Sequence, residues 1–164
     1  ERAALEQSLA GARAAKVFDM DGYQALRAFL PPKPRRGLVL VDPPFEQPGE
    51  YERLAAALRD GLRRFAGGVF MVWRPVKDEE GYLALVAALE ALAPEKFLLA
   101  ELRVRVAEPG RLTGSGLVIV NPPFGLFDGL AEILPYLARK LAAGPGAGWL
   151  LDAREDGARR RLAG

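Results

Sequence analysis

The chain is predicted to fold as a single α/β domain on a doubly wound sheet, and three features of the sequence predict it. Apolar runs without polar alternation, Gly37–Val41 and Val69–Trp73, are what strands covered on both faces require. Segments with apolar residues at three- and four-residue spacing separate these runs, the rhythm of a β-α-β-α chain. The 164 residues, 50% hydrophobic and 27% charged, suffice for one core and fall short of two, so residues 1–164 are read as one domain.

Taken in order, Glu1 to Ala14 has helical spacing, with Leu5 and Leu9 on one face, and Lys16-Val17-Phe18 reads as a short strand ending at Asp19–Gly22. Tyr23, Leu26, Phe29 and Leu30 give the next helix an apolar face, and Pro31-Pro32 stops it. Gly37–Val41 is then a buried parallel strand ending at Asp42. Tyr51–Phe65 is helical, Val69–Trp73 a strand after Gly67-Gly68, and Tyr82–Leu92 a helix. After Pro94 the rhythm changes. A long strand over Phe97–Val106 turns at Pro109-Gly110 into Gly116–Val120, and strands joined by so short a turn must run antiparallel. Phe127–Leu141 is the last helix, Gly144–Gly148 a linker, and Trp149-Leu150-Leu151 a final edge strand.

Composition removes several chemistries. There is no cysteine and no histidine, which excludes disulfides, thiolate nucleophiles, Cys-type zinc sites and every mechanism built on a histidine base. Catalysis would have to run on carboxylates, amides, backbone groups and positioning. The longest apolar runs are much too short to span a bilayer, and the first residues lack the apolar stretch of a signal peptide, so no membrane partner and a cytoplasmic location are expected. A net charge of +2 is too small to establish a nucleic-acid partner.

The strongest chemical signal is Asp42-Pro43-Pro44-Phe45 at the C-terminal end of a parallel strand, where open α/β sheets place their ligands. An exocyclic amine on a heteroaromatic ring is a poor nucleophile, because its lone pair is delocalised. The Asp42 carboxylate and the Pro43 carbonyl can each accept one of its N–H bonds and favour a pyramidal nitrogen. Consecutive prolines stiffen the loop that aims the carbonyl, and Phe45 would stack on the base. The plainer reading is a strand-ending turn in which Asp caps and Phe packs, but the four residues together after an all-apolar strand outweigh it. A similar run, Asn121-Pro122-Pro123-Phe124, is followed by only one weak strand, so it is assigned to the pocket lip or to turn structure, with the turn ahead. Asp21 is at the least a helix N-cap for the Tyr23 helix.

The order Asp21-Gly22, then L-V-L-V-D-P-P-F-E from Leu38 to Glu46, Trp73-Arg74-Pro75, and the run from Gly114-Ser115-Gly116 to Pro123 resembles the J-type large-subunit ribosomal RNA adenine-N6 methyltransferases over nearly the whole chain. Members of that family are also connected with the use of external DNA as a nutrient. The resemblance implies a Rossmann-like class I methyltransferase fold and S-adenosylmethionine as cofactor. It further implies methylation of an adenine N6 in 23S ribosomal RNA, with Asp42 as the catalytic and cofactor-facing residue. Pro43, Pro44 and Phe45 would shape the amine pocket, and Asp21 and Gly22 would touch the adenine end of the cofactor. RNA rather than DNA rests on the resemblance alone.

The chain departs from the family pattern at its start. The glycine-rich cofactor loop after a first strand, and the acidic residue after a second, are missing, and no other glycine run replaces them, because Gly114–Gly116 precedes a strand and Gly144–Gly148 follows a helix. The chain therefore reads as the C-terminal part of a catalytic domain, from a truncated gene, a fragment or an incomplete sequence, with weak cofactor binding and little activity expected as it stands. Self-association through the exposed sheet edge is an expectation of the same reading.

Basic residues that could track RNA include Lys33, Arg35, Arg36, Arg103, Arg105, Arg111 and Arg159–Arg161, with Arg74, just past a strand end, the best substrate-binding candidate. Ordinary surface solvation accounts for most of them. Two other functions stay open: a protein glutamine-amide methyltransferase using Asn121, and a fragment or nucleic-acid-binding module without catalysis.

Overall fold

The computed structural model describes residues 2–76, 79–92, 96–108, 110–155 and 157–164. The expected turn at Pro109, the break at Pro94 and the first residue, Glu1, lie outside the described residues. Element order is α1 (Arg2–Ser8), α2 (Gly22–Phe29), β1 (Leu38–Val41), α3 (Glu50–Arg64), β2 (Val69–Pro75), α4 (Glu79–Leu92), β3 (Lys96–Arg103), β4 (Gly114–Val120), α5 (Leu126–Leu141), β5 (Gly148–Glu155) and β6 (Ala158–Ala163).

The sheet has six strands in the order β1-β2-β4-β3-β5-β6. β1 and β2 are parallel, with Leu38 opposite Val69 and Val41 opposite Val72. β4 then enters between β2 and β3, antiparallel to both. β5 and β6 continue antiparallel beyond β3.

Alternation along the strands sorts the core into two layers. Phe70, Val72, Phe97, Val118 and Val120 face α3 and α4, which contribute Leu54, Leu58, Leu85 and Leu89, all at most 1% exposed. On the other face Leu98, Ile119 and Leu151 meet Phe127 and Leu134 of α5. α5 lies over β3 and β5.

Five sequence expectations change, the first being that the strand expected over Phe97–Val106 ends at Arg103. β1 is not covered on both faces: it is a sheet edge with β2 as its one neighbour, and Leu38 and Leu40 are 58% and 62% exposed, because α3 covers one side only. Lys16-Val17-Phe18 forms no strand, since such a run needs a ladder partner, and Phe18 instead packs on Phe29 at 4.6 Å between ring centroids. The opening helix ends at Ser8 rather than Ala14. Trp149-Leu150-Leu151 belongs to an inner strand, and the edge is β6, where Arg159 and Arg161 pair with Asp152 and Arg160 with Asp128.

Arg74 is the largest correction. Its side chain is 0% exposed, inside β2 rather than past its end. The guanidinium pairs with the Glu101 carboxylate two strands away and lies 3.3 Å from the centroid of the Tyr82 ring. It is thus withdrawn from any RNA. Between the partners sits Gly116, opposite Arg74 on one side and Glu101 on the other. A Cβ at Gly116 would come within 2.8 Å of Arg74 Nε, so glycine is what lets the side chain cross β4. Gly116→Ala is expected to destabilise the fold by about 1–3 kcal/mol through overpacking, measured by urea unfolding.

Candidate active site

The parallel pair β1–β2 delivers Asp42 to the C-terminal end of the sheet, and the backbone there leaves the ladder because Pro43 and Pro44 have no N–H to donate. Asp42, Pro44 and Glu46 are exposed; Pro43 and Phe45 are buried. Phe45 has a left-handed backbone, φ +53°, which is costly for a bulky residue and is held by its surroundings. Its ring packs on Tyr51 at 5.0 Å and Trp73 at 6.5 Å. The expected base stacking by Phe45 is therefore corrected: the ring is a core anchor for the loop, turned away from the groove.

On the other side of the site, Asp21 caps α2. Its Oδ1 accepts from the backbone N–H groups of Tyr23 (2.9 Å) and Gln24 (3.0 Å), which satisfies two of the donors a helix start leaves open. Oδ2 takes no hydrogen bond among the described residues. Gly22 opens the helix, and a Cβ there would meet nothing within 4 Å. Asp21, Gly22, Asp42, Pro43 and Pro44 line one groove of about 1040 Å³ that runs along the open edge of β1. The residues expected at the cofactor and those expected at the amine are thus brought together.

Asn121 is not. β4 runs opposite to β1, so its C-terminal end lies at the far end of the sheet from Asp42, with Val120 paired to Phe70 near the start of β2. Both N–H bonds of its side-chain amide are used, donated to the carbonyls of Ala66 (2.7 Å) and Gly68 (2.8 Å). Its φ of +55° completes a turn of purely structural use. The pocket-lip assignment is corrected, because it depended on a strand direction that only the sheet order reveals.

Sequence reading overlooked Glu50. This carboxylate, 4% exposed, lies in the first turn of α3 and lines the groove, accepts a hydrogen bond from the Tyr23 hydroxyl and stands 4.0 Å from an Arg53 nitrogen. Burial first, and the Glu50 carboxylate second, raise the Tyr23 hydroxyl's pKa above its ordinary value, so it remains a donor. A Glu in a helix's first turn ordinarily signals only the favourable dipole end; its burial follows from α2 packing on α3.

The groove is wide enough for a nucleoside-sized ligand, and it gathers the carboxylates of Asp42 at the end of β1, Asp21 at the start of α2 and Glu50 in the first turn of α3. A mixed α/β domain with that layout is what a methyltransferase family would supply, and comparison with known proteins agrees. Residues 1–152 match the family described as "Ribosomal RNA large subunit methyltransferase D, RlmJ". The chain is 40% identical over 133 residues to "Ribosomal RNA large subunit methyltransferase J" of Haemophilus influenzae, covering 80% of this chain and 47% of that protein. The Escherichia coli protein of the same name is 39% identical over 134 residues, 80% of this chain and 48% of that one. A crystal structure of a Legionella pneumophila protein superposes with a TM-score of 0.75 at 27% identity, covering 82% of this chain and 50% of the other. The chain belongs to the RlmJ methyltransferase family, and it spans about half the length of the curated relatives it matches.

Proposed function

We propose that this protein takes part in transferring a methyl group from S-adenosylmethionine to the N6 amine of an adenine in large-subunit ribosomal RNA, on a Rossmann-like class I fold. The observation that carries the reading is the exposed Asp42 carboxylate beside the buried Pro43, in one groove with Asp21 and Gly22. The names of the relatives support ribosomal RNA as substrate. The parallel β1–β2 pair followed by an antiparallel β4 inserted before β3 supports the class I form.

The groove fits the cofactor on its own terms. Gly22 leaves room for a ligand at the start of α2, and Asp21 Oδ2 is available to accept from a ligand amine or hydroxyl. When bound, the cofactor supplies an electrophilic methyl carbon. The chain's own work is to hold the amine. Asp42 and the Pro43 carbonyl accept its two N–H bonds, which pulls the nitrogen toward the pyramidal geometry that exposes its lone pair. That lone pair takes up the methyl carbon, and Asp42 or water accepts the proton that the methylated nitrogen then gives up. No strong base is required, because the methylated nitrogen is itself acidic. The glutamine-amide alternative loses its residue, since Asn121 is at the wrong end of the sheet. No described helix is long and apolar enough to cross a membrane, and the proposed substrate places the protein in the cytoplasm.

The test is nucleoside mass spectrometry of unmodified large-subunit ribosomal RNA incubated with the natural full-length protein and the cofactor. N6-methyladenosine is expected. Methylation of another nucleoside, of DNA alone, or of none would overturn the reading.

A further inference from the structure

The first turn of α3 does two things with two consecutive residues. Tyr51 packs on Phe45 and so anchors the loop that carries Asp42 and Pro43. Glu50 turns to α2 and accepts from the hydroxyl of Tyr23, the residue after Gly22. α2 and β1 are separated by the Leu30–Gly37 segment and share no ladder, and the other hydrogen bond described between α2 and α3, Arg27 to Asp60 at 2.7 Å, involves no groove-lining residue. Around this contact Arg53 donates to Gln47 Oε1 at 2.8 Å and lies 5.2 Å from the Tyr23 ring centroid, so it bridges the segment before α3 to the start of α2. Tyr23, Gln47, Glu50 and Arg53 all line the groove.

We infer that Tyr23 and Glu50 form a positioning strut that sets the distance between the cofactor side of the groove, at Asp21-Gly22, and the amine-holding loop at Asp42–Phe45. The inference rests on the proposed methyl-transfer reading for its function, though not for its geometry. Neither residue touches reacting atoms. Their hydrogen bond matters because in-line transfer is sensitive to displacements of about 1 Å, which can cost a hundredfold in rate. A buried carboxylate joined to a hydroxyl is a directional link at the groove itself, whereas the Arg27–Asp60 pair between the same helices is solvent-exposed and holds them less firmly.

The experiment compares Tyr23→Phe, Glu50→Ala, Glu50→Gln and the double variant Tyr23→Phe/Glu50→Ala in the natural full-length protein. Three readouts are taken: amide hydrogen exchange of residues 42–49, the Kd for S-adenosylmethionine by calorimetry, and kcat at saturating cofactor. Tyr23→Phe and Glu50→Ala are expected to speed exchange in the loop, lower kcat about tenfold and raise Kd several-fold. Glu50→Gln keeps an acceptor for the hydroxyl and is expected to stay close to wild type, while the double variant matches Tyr23→Phe alone. Loop exchange, Kd and kcat unchanged in Tyr23→Phe, with only Tm lowered, would show a merely structural contact and overturn the strut. So would effects that multiply, since the two residues would then act independently. If the wild type neither binds the cofactor nor methylates, the functional reading fails, and the loop exchange still decides whether the strut exists.

Discussion

Replacing Asp42 by alanine in the natural full-length protein is expected to lower kcat for the proposed adenine methylation by about a hundred- to a thousandfold, the usual loss when one preorganised partner of developing charge is removed. The side chain is exposed at the end of β1, and it makes no hydrogen bond or ion pair in the described structure. Stability should therefore move by no more than about 0.5 kcal/mol, as for an ordinary surface change. Asp42→Asn retains an acceptor oxygen without the charge and is expected to fall between alanine and wild type. Single-turnover rates at saturating cofactor, with Tm measured alongside, check this. A variant that turns over at the wild-type rate would remove Asp42 from the chemistry. One that loses activity together with Tm would make it a structural residue.

The second large effect concerns stability. Glu101→Leu is expected to destabilise the fold by about 3–5 kcal/mol, because it strands a wholly buried guanidinium. Without Glu101, Arg74 retains the Tyr82 ring face and a 3.4 Å contact to the Pro75 carbonyl, and its Nε already has no partner among the described residues. Arg74→Leu should cost less. The carboxylate it abandons is still held by Arg103, whose Nε donates to Glu101 Oε1 at 2.5 Å from a side chain that is 44% exposed. Arg74→Met combined with Glu101→Leu should recover most of the loss, since a matched apolar pair needs no compensation for desolvation. Urea unfolding of the three variants gives the order. Arg74→Leu proving worse than Glu101→Leu would contradict the reading of Arg103 as the reserve partner.

The pair also shows why Arg74 looked like a binding residue. In the linear chain, Trp73-Arg74-Pro75 follows an apolar run, and a basic residue at a strand end ordinarily faces solvent. Only the insertion of β4 places Glu101 within reach, and only the absence of a side chain at Gly116 opens the path. The burial of a charge depends on its partner, and that partner is 27 residues distant in sequence. β6 went unread for a related reason: Arg159-Arg160-Arg161 has no alternation, and its strand character comes from pairing with β5. The Asp156-Gly157 dipeptide between Glu155 and Ala158 was the available hairpin signal.

By itself the sequence determined what is local: the helices α2 to α5 by their 3.6-residue period, β1 to β4 by their apolar runs, the cap at Asp21, and the stiff turn that ends β1 at Asp42. These follow from backbone preferences and nearest neighbours, which are written in consecutive residues. Tertiary structure alone decided that β4 lies between β2 and β3, which sends Asn121 to the far end of the sheet. It also turned Phe45 into the core, hid Arg74, and brought Glu50 to Tyr23. Each of those outcomes depends on which distant segment arrives alongside, and burial and strand direction are properties of the assembled sheet rather than of any stretch of chain.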